Sequence, residues 1–210
     1  MYRPTGRMVL VGLAGALLSL VTPAASNFRT GPGVLNARAR VDFRVIIPKI
    51  LYLRVGTGSA YPTALSNVGT VNLVAFSPSA ATVGNGTVIS GSGGDLTGGV
   101  ETAAIISNSG NVTLNATATG ALGDGVGHTI AYTQLATAAS ALTVGYTLLP
   151  APVLSNGTSA NIVLTAPATK VIRADARWVY SYLNATIPAS GSYGGVNVNN
   201  GRVLYTATMP

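Results

Sequence analysis

Apolar and polar residues alternate along much of this chain with a period of two. The run is cleanest before residue 48. Ala39, Val41, Phe43, Val45 and Ile47 share one parity, and Arg38, Arg40, Asp42 and Arg44 share the other. Successive side chains of a strand point to opposite faces, so the pattern predicts a strand with one buried face and one wet, mostly basic face. Val41, Phe43 and Val45 are then expected in the core. Pro48 has no N–H to give to a ladder and ends the run. Leu51, Leu53 and Val55 resume the alternation until Gly56.

Further strands are predicted at short intervals. Residues 71–76 place Val71, Leu73 and Ala75 on one parity, and 86–90 is a short β-prone piece. Residues 101–107 and 111–119 read as two arms of a hairpin, because Asn108-Ser109-Gly110 between them tolerates positive φ. In the second arm Val112, Leu114, Ala116 and Ala118 oppose Thr113, Asn115, Thr117 and Thr119. Residues 129–135, 142–148 and 161–164 are strand candidates. Residues 136–141, rich in alanine, read as a short helical turn. The longest late strand covers 170–183, where Ile172, Ala174, Ala176, Trp178, Tyr180 and Tyr182 share a face. Residues 202–209 follow, with Val203, Tyr205 and Ala207 on one parity. About nine strands with turns between them predict an all-β chain folded as a single antiparallel β-sandwich.

The N-terminal residues change the picture of where this domain works. Arg3 and Arg7 precede an apolar run from Met8 to Val21, and Ala24-Ala25-Ser26 offers small residues for cleavage before Asn27. That is the layout of a secretory signal peptide. The expected organisation is a signal over 1–26, a flexible leader with Gly31-Pro32-Gly33 over 27–36, and a β-sandwich domain over 37–210. Cleavage leaves 184 of the 210 residues and lowers the formal charge from +7 to +5. The expected location is secreted, from periplasm to cell surface, with membrane contact only during export.

Composition narrows the class further. Charged residues make up 8% of the chain, against about 25% in ordinary globular proteins. Thr, Ser, Asn, Gly and Ala must therefore form most of the surface. The absence of cysteine excludes thiol nucleophiles, cysteine metal sites and disulfides. Arg38, Arg40, Arg44, Lys49 and Arg54 cluster, but stacking aromatics do not interleave them as in single-strand binders. No nucleic-acid partner is expected.

Three stretches carry a family resemblance. They are Val-Asp-Phe-Arg-Val-Ile-Ile-Pro from Val41, Ile-Ser-Asn-Ser-Gly-Asn-Val-Thr-Leu from Ile106, and Asn-Gly-Arg-Val-Leu-Tyr-Thr-Ala-Thr-Met-Pro from Asn200. Together they resemble secreted, pilin-like or fimbrial-subunit-like β-sandwich proteins of Gram-negative bacteria. The resemblance implies an immunoglobulin- or pilin-like sandwich in a structural or adhesive envelope subunit, with other copies of itself or related subunits as partners. Two features depart from chaperone–usher pilins: the chain has no disulfide, and Met209 stands where an aromatic is usual.

Residue types that carry chemistry are few. His128 is the only histidine, and Asp124 lies four residues earlier in a glycine-rich loop. A serine triad needs a marked nucleophile, and no Gly-x-Ser-x-Gly elbow is present. Asp95 and Glu101 are the nearest pair of carboxylates after the signal. The stretch from Gly91 to Asp95 is a single glycine–aspartate copy, whereas calcium needs six or more oxygens. No catalytic residue, metal or cofactor is expected. Asn85, Asn111, Asn115, Asn156 and Asn184 each begin an Asn-x-Thr pattern.

The leading expectation is a self-associating structural or adhesive subunit of the bacterial envelope, not an enzyme. A second is a non-catalytic carbohydrate-binding module, with surface glycans stacked on a Trp178, Tyr180 and Tyr182 row, although such a row is more often core filling between sheets. A secreted hydrolase is third. Within the leading reading, Arg38, Val41, Phe43, Val45 and Ile47 form an assembly strand with two open fates. It pairs inside its own domain as the first strand, or it completes a neighbour's sheet with Pro48 as the joint.

Overall fold

A computed structural model describes residues 26–58 and 65–210. The expected signal lies outside the described residues, Ser26 apart. The chain divides into two units, at Ile47 and Pro48.

In the first unit, described residues 26–47 contain no strand. Here the alternation misleads about burial. Val41 is 72% exposed, Phe43 90% and Val45 83%, so none is a core residue. Ile46 and Ile47 are exposed as well. A strand's apolar face becomes core only when a sheet covers it, and 38–47 has no ladder partner among the described residues.

The second unit is all-β. In chain order its strands are β1 Leu51–Val55, β2 Val74–Ala75, β3 Ile89–Ser90, β4 Ser92–Gly93, β5 Val100–Ser107, β6 Val112–Ala118 and β7 Leu122–Gly123. Then come β8 Thr129–Ile130, β9 Leu135–Ser140, β10 Thr147–Leu148, β11 Ile162–Leu164, β12 Ile172–Tyr182 and β13 Val203–Thr208. A 3-10 turn at Tyr132–Gln134 interrupts the strand expected over 129–135. No helix among the described residues is long and apolar enough to cross a membrane.

Two sheets face each other across one core, in a sandwich-like arrangement. The larger is built on β12, which is paired along both edges. On one edge β5 runs from Ile172 to Val179 and β3 takes Ser181 and Tyr182. On the other, β9 pairs antiparallel from Arg177 to Tyr182, and β10 pairs parallel at Ala174 and Asp175. β1 adds to the far edge of β5. The smaller sheet has the order β11-β6-β13.

The hairpin expected from 101–107 and 111–119 does not form. β5 gives its two edges to β1 and β12, and β6 gives its edges to β11 and β13. The connection at 108–111 crosses from one sheet to the other. Local turn chemistry allows a reversal, but the pairing partner is chosen by burial. β5 is buried on nearly every side chain, Ala103, Ala104 and Ile105 completely, as a central strand covered on both faces requires.

Residues 136–141 are strand, not helix, over most of their length. Alanine favours helix by at most about 1 kcal/mol per residue, and the ladder from Leu135 to Ser140 against β12 overrides that preference.

The core is where the parities of β6 and β12 place it. Val112, Leu114, Ala116 and Ala118 are buried from one sheet, and Ile172, Ala174, Ala176, Trp178 and Tyr180 from the other. Leu149, Leu154, Leu164 and Tyr132 complete it. Gly91 and Gly99 meet backbone to backbone beside β12. A Cβ on Gly99 would fall 2.6 Å from the Gly91 Cα, so neither position has room for a side chain. Tyr180 N–H donates to Gly99 O there at 3.0 Å.

Candidate assembly groove

The sandwich-like body is closed on one side. On the closed side the chain from Leu149 to Ser159 passes between the sheets. Leu149 N–H donates to Asp175 O at 3.0 Å, and the Trp178 indole donates to Leu149 O at 2.9 Å. Thr137 Oγ1 donates to Pro152 O at 3.0 Å. Ser159 N–H then reaches Ala116 O at 2.8 Å, and Ala118 N–H reaches Gly157 O at 3.1 Å. Leu149, Pro152 and Leu154 are buried along this path.

On the other side β1 and β13 are the outer strands of the two sheets. Among the described residues β1 pairs only with β5, and β13 only with β6. The two strands lie close together, and Lys49 Nζ donates to Pro210 O beyond their ends at 2.5 Å. Their inward side chains are Leu53 and Val55 on one edge, and Val203, Tyr205 and Ala207 on the other. All five pack against the core yet remain partly exposed. On β12 the equivalent row is fully buried.

A groove of about 420 Å³ runs along β1, lined among the described residues by Leu51, Leu53 and Val55 and by Ser66, Val68 and Thr70. Leu65, Val68, Val71 and Leu73 are all exposed beside it. At 71–76 the parity of Val71, Leu73 and Ala75 is the exposed one. Asn72, Val74 and Phe76 are the more buried set. Asn72 is drawn in by Glu101, whose Oε2 accepts from its side-chain amide at 2.9 Å.

The Trp178, Tyr180 and Tyr182 row takes the core-filling alternative. Trp178 is 0% exposed, and Tyr180 and Tyr182 are also buried. Trp178 lies 5.2 Å from Tyr205, ring centre to ring centre. Tyr180 and Tyr205 share a hydrogen bond at 2.8 Å. Burial pushes the Tyr205 phenol up to about 12 and the Tyr180 phenol well above its ordinary value. These faces fill the space between the sheets and offer nothing to a sugar.

The two pairs read from the sequence, Asp124 with His128 and Asp95 with Glu101, occupy separate places. Asp124 Oδ2 lies 2.6 Å from His128 Nδ1 in the loop after β7. Desolvation works against the charged carboxyl, but the N–H groups of Val126 and His128 and the imidazole outweigh it and hold Asp124 down at about 2. Asp95 accepts from Thr102 N–H at 2.8 Å and from Gly58 N–H at 2.8 Å. Glu101 is buried, and burial first, then the neighbouring Asp95 charge, raises its pKa against the opposing Asn72 hydrogen bond. Among the described residues no three side chains of metal-binding type come together.

Asn108 carries a role that the turn reading missed. Its side-chain amide donates to Pro48 O at 2.8 Å and accepts from Ile50 N–H at 2.9 Å. Both bonds span some 60 residues of sequence, so no local pattern marks them. No family model matches the chain, and neither a curated protein nor a solved structure is similar to it.

Proposed function

We propose that this chain is an exported structural or adhesive subunit of the bacterial cell envelope that assembles with copies of itself or with related subunits. In this reading 1–26 is removed on export, and the body is a single immunoglobulin- or pilin-like sandwich. Residues 38–47 are the strand that one subunit donates to the next. The supporting observation is a match between a need and a supply. Among the described residues β1 and β13 each pair along one edge only, a groove runs beside β1, and the apolar row of Leu53, Val55, Val203, Tyr205 and Ala207 is half-covered. Val41, Phe43, Val45 and Ile47 form an alternating apolar row that is itself exposed. An extended segment added to a free edge gains main-chain hydrogen bonds, and its alternate side chains fill the pockets below. The outward row would then carry Arg38, Arg40 and Arg44, which suits solvent and discourages further edge pairing. With the Trp178 row inside the core, the carbohydrate-binding reading loses its surface.

Electron microscopy of the exported protein tests the assembly. Fibres or linear oligomers are expected, and their loss is expected when residues 27–47 are deleted. The shortened protein should keep its circular dichroism and bind a synthetic 38–47 peptide. Replacing Val41 and Val45 in that peptide with Asp should abolish binding, because both would carry charge into an apolar groove. A shortened protein that is unfolded and not rescued by the peptide would refute donation.

A further inference from the structure

We propose that Asn156 is a site of spontaneous covalent modification, where the side-chain amide becomes a carboxylic acid by way of a cyclic imide. The inference is independent of the assembly reading.

The chain has three Asn-Gly dipeptides, Asn85-Gly86, Asn156-Gly157 and Asn200-Gly201. This is the pairing in which the reaction is easiest. Glycine sets no Cβ beside the attacking nitrogen and leaves the backbone free to bend toward the side chain. The glycine nitrogen attacks Cγ of the asparagine and gives up its proton. The bond from Cγ to the amide nitrogen breaks, and that nitrogen leaves with the proton as ammonia. Water then opens the imide at either carbonyl, giving aspartate or its β-linked isomer. No electrons change hands, and water is the only co-reactant.

All three asparagines are exposed, so access to water does not separate them. Hydrogen bonding does. At the first, Gly86 N–H donates to Asn184 O at 2.9 Å, and Asn85 Oδ1 accepts from Thr87 N–H at 2.8 Å. At the third, Gly201 N–H donates to Val198 O at 2.7 Å. The Asn200 amide there donates to Ala121 O at 2.9 Å and accepts from Thr119 Oγ1 at 3.0 Å. Gly201 also packs so closely on Gly195 that a Cβ has no room. In both places the nucleophile and the amide are tied to different partners, and attack must first break those bonds.

At Asn156 the nucleophile is nearly free. Gly157 N–H meets the Ser155 hydroxyl at 3.4 Å, a long bond. The one partner of the Asn156 amide among the described residues is Tyr132 N–H, which donates to Oδ1 at 2.8 Å. That bond assists the attack. Negative charge develops on Oδ1 as the nitrogen adds to Cγ, and a fixed N–H aimed at that oxygen stabilises it. Tyr132 is buried, so the donor is held in place.

The consequence falls on the closed side of the body. Ala118 N–H donates to Gly157 O, and Ser159 N–H donates to Ala116 O. The β-linked product lengthens the backbone at 156 by one carbon, just before these bonds, and works against the register they keep.

The test incubates the full chain, folded and in denaturant, at mildly alkaline pH. Peptide mapping by mass spectrometry then follows the conversion of amide to acid. In the folded chain, acid should accumulate at residue 156 at least about tenfold faster than at 85 or 200, since each of those sites must first break two or more hydrogen bonds. In denaturant the three rates should draw to within about threefold of one another, because those bonds are gone. Gly157→Ala is the variant. A Cβ there meets nothing within 4 Å, and the residue has no positive φ, so the fold should be kept. Conversion at 156 should slow about tenfold in it, since the Cβ crowds the attacking nitrogen. Equal rates at the three sites of the folded chain would overturn the proposal. So would an intact Asn156 in folded protein that converts in denaturant. Acid at 156 without any β-linked isomer would overturn the imide route.

Discussion

The Tyr180 hydroxyl lies 2.8 Å from the Tyr205 hydroxyl, between the two sheets. This bond ties β12 of the larger sheet to β13 of the smaller one.

Removing one partner should cost more than removing both. Tyr205→Phe keeps the ring against Trp178 but strands the Tyr180 hydroxyl, at about 1–3 kcal/mol. The double variant Tyr180→Phe, Tyr205→Phe should recover part of that loss. Denaturant titrations of the three variants measure the coupling. Strictly additive losses would mean that the two hydroxyls do not interact.

Glu101 should destabilise the protein at neutral pH. Its folded pKa is raised by burial above the ordinary 4.5. Below that value the carboxyl is protonated in both states and carries no penalty. As pH rises from 4.5 through the folded pKa, the unfolded state releases its proton more readily and stability falls. Glu101→Gln keeps an acceptor for Asn72 and removes the charge. It should be more stable than the native chain at pH 7, and the two stability curves should converge below pH 4.5. Parallel curves across the range would contradict this.

Asn184 should behave as a core residue despite its amide. It is 0% exposed, and its side chain donates to Thr82 O at 2.8 Å and accepts from Gly84 N–H at 2.7 Å. Its own φ of 53° lies in the left-handed region that asparagine tolerates better than alanine. Asn184→Ala leaves buried polar groups unpaired at about 1–3 kcal/mol each, so a loss of several kcal/mol is expected in thermal melts. The same burial means that its Asn-x-Thr pattern cannot be glycosylated in the folded protein. Glycan attached at Asn184 in native protein would contradict the placement.

Phe43→Ala should leave the monomer almost unchanged. The ring is exposed, and such substitutions usually stay within about 0.5 kcal/mol. Its cost should appear in assembly, as a fall in fibre yield or in affinity of the corresponding peptide. A monomer destabilised by several kcal/mol would place Phe43 in its own core after all.

Much of the body was readable in advance. The buried row of β6 and the Ile172–Tyr182 row of β12 both follow their parities, because each strand has one face on the core. Two departures have a common cause. Turn chemistry pairs 101–107 with 111–119 and composition makes 136–141 helical, but partners remote in sequence decide both. Asn108 was visible only as turn chemistry, since its bonds to Pro48 and Ile50 cross the fold.

The sequence by itself determined that the chain is all-β and which residues of each long strand share a face, since a period of two is a local property of the backbone. Only the tertiary structure decided which of those faces are covered. Trp178 and Phe43 sit in equally regular alternations, yet one is sealed between two sheets and the other stands in solvent. Burial depends on what lies opposite, and alternation along one strand carries no information about that.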